Sequence, residues 1–170
     1  MPKITKPISD ALNDQINREL ESGYVYLAMS TWADSENLPG ATGWLRLQWE
    51  EELQHATKLI DYVTERGGTV SLKAITKPRA RYKDLLDVFR QALKTEEAGT
   101  AAINTIYGKV SRASDYATQT LLDWYVSEQV EEENAPAEII AMLEMAGDSP
   151  PGLLMVDQRL SERSRREPGA

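Results

Sequence analysis

The chain contains no cysteine. That excludes disulfide staples, thiolate-bound zinc, an iron–sulfur cluster and a cysteine nucleophile. Positive charge is also scarce: 19 Lys and Arg stand against 27 Asp and Glu, for a formal charge of −8. General binders of nucleic acid or of anionic membranes carry the opposite sign, so neither partner is expected. No apolar run approaches the roughly eighteen residues of a membrane span. The opening MPKITKPISDALND lacks the apolar stretch of a secretory signal. A cytoplasmic location is therefore expected. At 170 residues the chain fits one domain, over 1–170, with a core large enough to need no staples. Any metal chemistry falls to oxygen donors and the single histidine, His55.

Glycine and proline are few and clustered, and they mark the breaks at Pro7, Leu38-Pro39-Gly40, Gly67-Gly68, Pro78, Ser111 to Asp115, and Gly147 to Gly152. Four long segments and one short C-terminal segment lie between them. Ser9 before Asp10 carries an N-cap signal, and Gly67-Gly68 a C-terminal stop. Alternating β-branched runs are missing, and the one candidate strand, Thr69 to Ile75, is short and sits in a connector. The chain is predicted to be all-α.

Each long segment has an apolar row at alternating steps of three and four. The rows read Leu12-Ile16-Glu19-Gly23-Tyr26-Ser30-Ala33 and Leu45-Trp49-Glu52-Ala56-Leu59-Val63, then Tyr82-Leu86-Phe89-Leu93-Glu96-Thr100-Ile103-Tyr107-Val110, and Thr118-Leu122-Tyr125-Gln129-Glu132-Pro136-Ile139-Leu143-Ala146. Every row holds one charged residue near its middle, always Glu. Four amphipathic helices bury such seams against one another as a bundle. The connector from Thr69 to Arg81 spans roughly 43 Å when extended at about 3.3 Å per residue, close to the length of a 28-residue helix. It predicts a four-helix bundle with one long crossover that makes the second and third helices parallel.

Four carboxylates at one height in a core are too costly as packing residues, because isolated buried carboxylates shift toward neutrality and several together repel. Two divalent cations balance them. His55 follows Glu52 by three residues and shares its face. The set Glu19, Glu52, His55, Glu96 and Glu132 matches much of the inward-facing arrangement of carboxylate bundles that hold two metals. Hard oxygen with one imidazole and no sulfur suits iron or manganese better than structural zinc.

Other residues stay open at this level. Gln129 is either a polar seam residue or a hydrogen-bonding neighbour of the centre. Glu51, Glu128 and Glu131 read as a solvated face or a further cluster. Tyr26 and Trp124 are core aromatics or, beside an oxidising metal pair, one-electron donors. Trp32, Trp44 and Trp49 read as core or interface, and Met29, Met142, Met145 and Met155 as packing. The basic stretch from Arg159 to Arg166 reads as a solvated end. Pro136, one turn past Glu132, is expected to kink the fourth helix.

Asn17-Arg18-Glu19-Leu20 leading to Tyr26, Glu50-Glu51-Glu52-Leu53-Gln54-His55, and Trp124-Tyr125-Val126-Ser127-Glu128-Gln129-Val130-Glu131-Glu132-Glu133 together resemble the bacterial non-haem ferritins. The similarity covers nearly the whole chain, including Leu153 to Leu160, which is similar to that family's short fifth helix. The resemblance implies a hollow cage of two dozen subunits that oxidises Fe²⁺ with O₂ or H₂O₂ and stores ferric mineral. By position, Glu19, Glu52 and His55 would hold one iron, and Glu52 would bridge to a second held by Glu96 and Glu132, with Gln129 adjacent. Glu51, Glu128 and Glu131 match the family's third iron site, and Tyr26 and Trp124 match aromatic positions near the diiron centre. Bacterioferritins ligate haem with a Met just after the bridging Glu. Leu53 stands there, so no haem is expected. The rival readings are a diiron or dimanganese redox enzyme that stores nothing, and a structural bundle with tolerated seam glutamates.

Overall fold

The computed structural model describes residues 3–166, with side chains through Arg163. Five helices follow in order: α1 (Lys6–Ser35), α2 (Pro39–Glu65), α3 (Leu85–Arg112), α4 (Tyr116–Ala146) and α5 (Pro150–Arg166). There is no strand among the described residues, and the segment 69–75 is extended chain. Helix α1 packs on α2, and α3 on α4, while α1 also meets α3. Helix α5 lies against α2 and α4. The protein is an all-α four-helix bundle with a short fifth helix.

The apolar core falls into two clusters. One joins Leu12, Ile16, Leu59, Val63, Ile103, Val110, Leu122 and Tyr125. The other joins Tyr26, Ala33, Leu45, Phe89, Ala92, Ile139 and Leu143, with Val156 and Leu160 of α5. Along α1 and α4 the first cluster precedes the second, and along α2 and α3 the order is reversed. That order makes α2 and α3 parallel, as the long connector predicts. Glu19, Glu52, Glu96 and Glu132 lie between the two clusters on their respective helices, so a polar layer divides the core.

The crossover, residues 66–84, is longer at both ends than Thr69 to Arg81. It is fastened to α1 by two asparagine side chains. Asn13 donates to the Thr69 carbonyl at 2.9 Å and accepts from the Ser71 amide at 2.6 Å. Asn17, one turn later, donates to the Ser71 carbonyl at 2.8 Å and accepts from the Lys73 amide at 2.6 Å. Extended backbone has no ladder of its own here, and the two amides stand in for one.

Helix ends differ in part from the sequence signals. Helix α1 begins at Lys6, so Pro7 sits in its first turn and Thr5, not Ser9, precedes it. Pro39 likewise opens α2. Both prolines occupy positions whose N–H has no helical partner. The Gly67-Gly68 stop does end α2: Gly67 has φ +67°, its amide donates to the Thr64 carbonyl, and the Gly68 amide donates to that of Val63. Helix α4 remains helical across Pro136, which is buried.

Gly40 has a separate role. A Cβ placed there would lie 1.8 Å from the backbone carbonyl oxygen of Asp157 on α5. The Asp157 carboxylate accepts from the amides of Gly40 at 3.0 Å and Ala41 at 2.8 Å, capping the start of α2 from another helix. At the other end of α2, Arg66 pairs with Asp115, the residue that caps α4, at 3.1 Å.

Candidate metal centre

Helical periodicity turns Glu19, Glu52, Glu96 and Glu132 inward, and all four are buried, as are His55 and Gln129. Ligating atoms of Glu19, Glu52 and His55 lie within 4.8 Å of one another. Those of His55, Glu128 and Glu132 form a second such group. Close helix approach makes this geometry possible, since a Cβ on Gly23 of α1 would lie 3.3 Å from the Glu52 Cβ of α2.

Most of these groups have a dedicated partner. Gln15, one turn before Glu19, donates to its carboxylate at 2.7 Å. Gln48 donates from Nε2 to Oε2 of Glu132 at 2.7 Å. The Tyr26 hydroxyl donates to Oε1 of Glu96. Gln129 donates to the Glu96 backbone carbonyl at 3.2 Å and to the Thr100 hydroxyl at 3.1 Å. The Tyr125 hydroxyl donates to the His55 carbonyl at 2.7 Å. Oε2 of Glu52 is buried without a hydrogen-bond partner among the described residues, as is Oε1 of Gln15, and it lies 3.9 Å from Nδ1 of His55.

The electrostatics follow from burial. Loss of water pushes the Glu52 carboxyl well above the usual range, and the charge of Glu19 adds to it. Burial also raises Glu19. It raises Glu96 to about 7, against the opposing Tyr26 hydrogen bond. It lifts Glu132 to about 8, with a further push from Glu96. His55 is lowered to about 4, first by burial and then by Lys58. A neutral imidazole among carboxyls that resist ionisation is a donor set that lacks its counter-charge.

The residues of the predicted further cluster differ in exposure and in partners. Glu128 is half-buried, raised by burial and then by Glu131, and approaches His55 and Glu132. Glu131 is exposed. Both carboxylate oxygens of Glu51 accept from Arg163, at 2.7 and 2.8 Å. Arg163 is thus not part of a solvated end, because its pairing with Glu51 draws it against α2; the side chains of Arg165 and Arg166 lie outside the described residues. Among the aromatics, Tyr26 is fully buried, and Trp124 packs edge-on to His55 at 5.3 Å with Lys58 over its face. Trp44 is core, against Phe89. Met29 packs inside, whereas Met145 and Met155 are exposed, since both fall on the outer faces of their helices.

Of the residues that support the centre, Thr100 and Tyr125 fall in the apolar rows and Arg163 in the basic C-terminal stretch, while Gln15 and Gln48 fall in neither. Gln15 had a local signal in its four-residue spacing from Glu19. Gln48 and Arg163 had none, because their partners are 84 and 112 residues away.

The Ferritin-like domain model matches residues 9–146. The chain belongs to that family. It is similar to a bacterial non-heme ferritin of Escherichia coli, 38% identical over 152 residues that make up 89% of this chain and 92% of that one. A bacterial non-heme ferritin of Campylobacter jejuni is 37% identical over 155 residues, 91% of this chain and 93% of that protein. Among solved structures, an open pore ferritin from the archaeon Archaeoglobus fulgidus superposes with a TM-score of 0.92 at 40% identity, covering 94% of this chain and 98% of the other. The ferritin-like match ends at the close of α4, and α5 lies beyond it.

Proposed function

We propose that this chain is an iron-storage protein with ferroxidase activity, a single unit over 1–170 that assembles with its copies into a cage of two dozen subunits in the cytoplasm. Two Fe²⁺ are its substrate. Glu19, Glu52 and His55 hold the first, and Glu52 bridges to a second held by Glu96 and Glu132, with Gln129 steadying the α3 backbone beside it. Glu51, Glu128 and Glu131 receive a third iron on its way out.

The observation that carries this reading is Oε2 of Glu52, a buried carboxylate oxygen with no hydrogen-bond partner beside an imidazole lowered to about 4. An orphaned buried acceptor costs about 1–3 kcal/mol or more, and a cation shared with Glu19 and His55 removes that cost. Each Fe²⁺ gives up one electron. O₂ takes both, with two protons, and leaves as H₂O₂; alternatively H₂O₂ takes both, with two protons, and leaves as two waters. Carboxylates serve because they change between chelating and bridging as iron charge rises, and Tyr26 keeps Glu96 aligned throughout. Fe³⁺ then hydrolyses and moves toward the acidic interior.

The test is aerobic Fe²⁺ addition to the purified protein, followed by ultraviolet absorbance and gel filtration with iron analysis. Storage gives fast oxidation and a very large particle holding far more than three irons per chain. A small oligomer with stoichiometric metal supports a redox enzyme that stores nothing, and oxidation no faster than buffer removes the proposal.

A further inference from the structure

Arg163 reaches back from α5 to the rim of the metal centre and contacts Glu51, Gln48 and Trp44 there. It grips both oxygens of Glu51. It donates to Oε1 of Gln48, whose Nε2 donates to Glu132. Its guanidinium lies 5.1 Å over the ring of Trp44. A guanidinium only donates, so its bond to Oε1 leaves Gln48 a single useful orientation, with the amide NH₂ toward Glu132. The forked grip on Glu51 commits both carboxylate oxygens.

We propose that Arg163 is a built-in counter-ion that occupies the side of the centre formed by Glu51 and Glu132, and so determines how many cations each chain holds. This rests on the two-metal reading above. A divalent cation that uses Glu51 competes with the guanidinium for its oxygens, and it meets a positive charge as it arrives. The first two cations, held by groups Arg163 does not touch or touches only through Gln48, bind without that competition. The third is weak until Arg163 swings away. Arg163 is a positioning residue: it acts on the metals through Glu51 and Gln48.

The experiment is anaerobic Co²⁺ titration of the assembled full-length protein, read by calorimetry and visible absorbance. Variants are R163Q, R163K, E51Q and the R163Q/E51Q pair. Asp157 caps α2 independently of Arg163, so α5 keeps its dock in R163Q; R163K keeps charge and stem in addition. The wild type is expected to bind two Co²⁺ tightly and a third weakly. R163Q should tighten the third roughly tenfold, the scale of one charge-assisted fork, leave the first unchanged, and weaken the second, whose Glu132 loses the oriented Gln48 amide. R163K should fall between, and E51Q should remove the third in either background. An unchanged or weaker third ion in R163Q, or a third ion that survives E51Q, overturns the inference alone. Failure of the wild type to bind the first two overturns the two-metal reading and this inference with it.

Discussion

The hydroxyl of Tyr26 on α1 is hydrogen-bonded to Oε1 of Glu96 on α3, and both side chains are buried in the polar layer. The bond favours the ionised carboxylate, and it opposes the burial that raises Glu96 to about 7. Y26F should therefore push Glu96 higher. The expected result is Co²⁺ binding that needs a higher pH than in the wild type, with stoichiometry intact, and a stability loss of about 1–3 kcal/mol in denaturant unfolding. A pH dependence identical to wild type would show that the hydroxyl does not tune Glu96.

Removal of metal should expose the cost of the acidic layer. Glu96 at about 7 and Glu132 at about 8 lie above their ordinary value, so the folded chain binds more protons than the unfolded one. Their contribution is fully present below about 4.5 and is lost as pH rises through 7 and 8. His55, lowered to about 4, acts in the opposite sense and withdraws stability as pH falls from about 6.5 toward 4. The melting temperature of metal-free protein should fall between pH 6.5 and 8.5. Saturating Co²⁺ should reverse that slope, because metal competes with protons.

Glu52 is the residue whose loss should separate binding from folding. E52Q keeps shape and removes a carboxylate that burial holds well above its ordinary range. Metal-free E52Q should be at least as stable as wild type at pH 7.5, while Fe²⁺ oxidation falls by more than about a hundredfold, beyond the usual effect of an outer partner. Stopped-flow absorbance measures the second effect. Fast oxidation in E52Q would remove Glu52 from the bridging role.

Docking of α5 should depend on the missing side chain at Gly40. G40A drives a methyl into the Asp157 backbone, 1.8 Å away, and must displace α5. A loss of about 1–3 kcal/mol is expected, together with faster proteolysis between α4 and α5. D157N keeps an acceptor for one amide and should cost less.

Much of this architecture is written locally. Glu19, Glu52, Glu96 and Glu132 could be found because a helix repeats every 3.6 residues, so one out-of-place charge per apolar row already specifies a common height. The long crossover was legible from its length alone. Contacts between distant residues carry no such period. Nothing near Gln48 announces Glu132, nothing near Arg163 announces Glu51, and a basic C-terminal stretch has the composition of a solvated end whether or not one of its arginines folds back. Thr5 followed by Pro7 in the first turn is a start signal that competes with Ser9, and the helix begins there although Thr5 makes no side-chain bond. The glycine at position 40 marks close approach by α5, although its composition signal was that of a break.

Asn13 and Asn17 stand one helical turn apart, about 6 Å along α1. The crossover residues they grip, at 69, 71 and 73, advance by two extended residues for each step, about 6.6 Å. The two repeats nearly coincide, like the scales of a vernier. The exposed side chains at 69, 71 and 73 can therefore vary widely, but the residue count between these positions cannot. One inserted residue would present the wrong amide and carbonyl to both asparagines at once, and the strap would slip off the helix it follows.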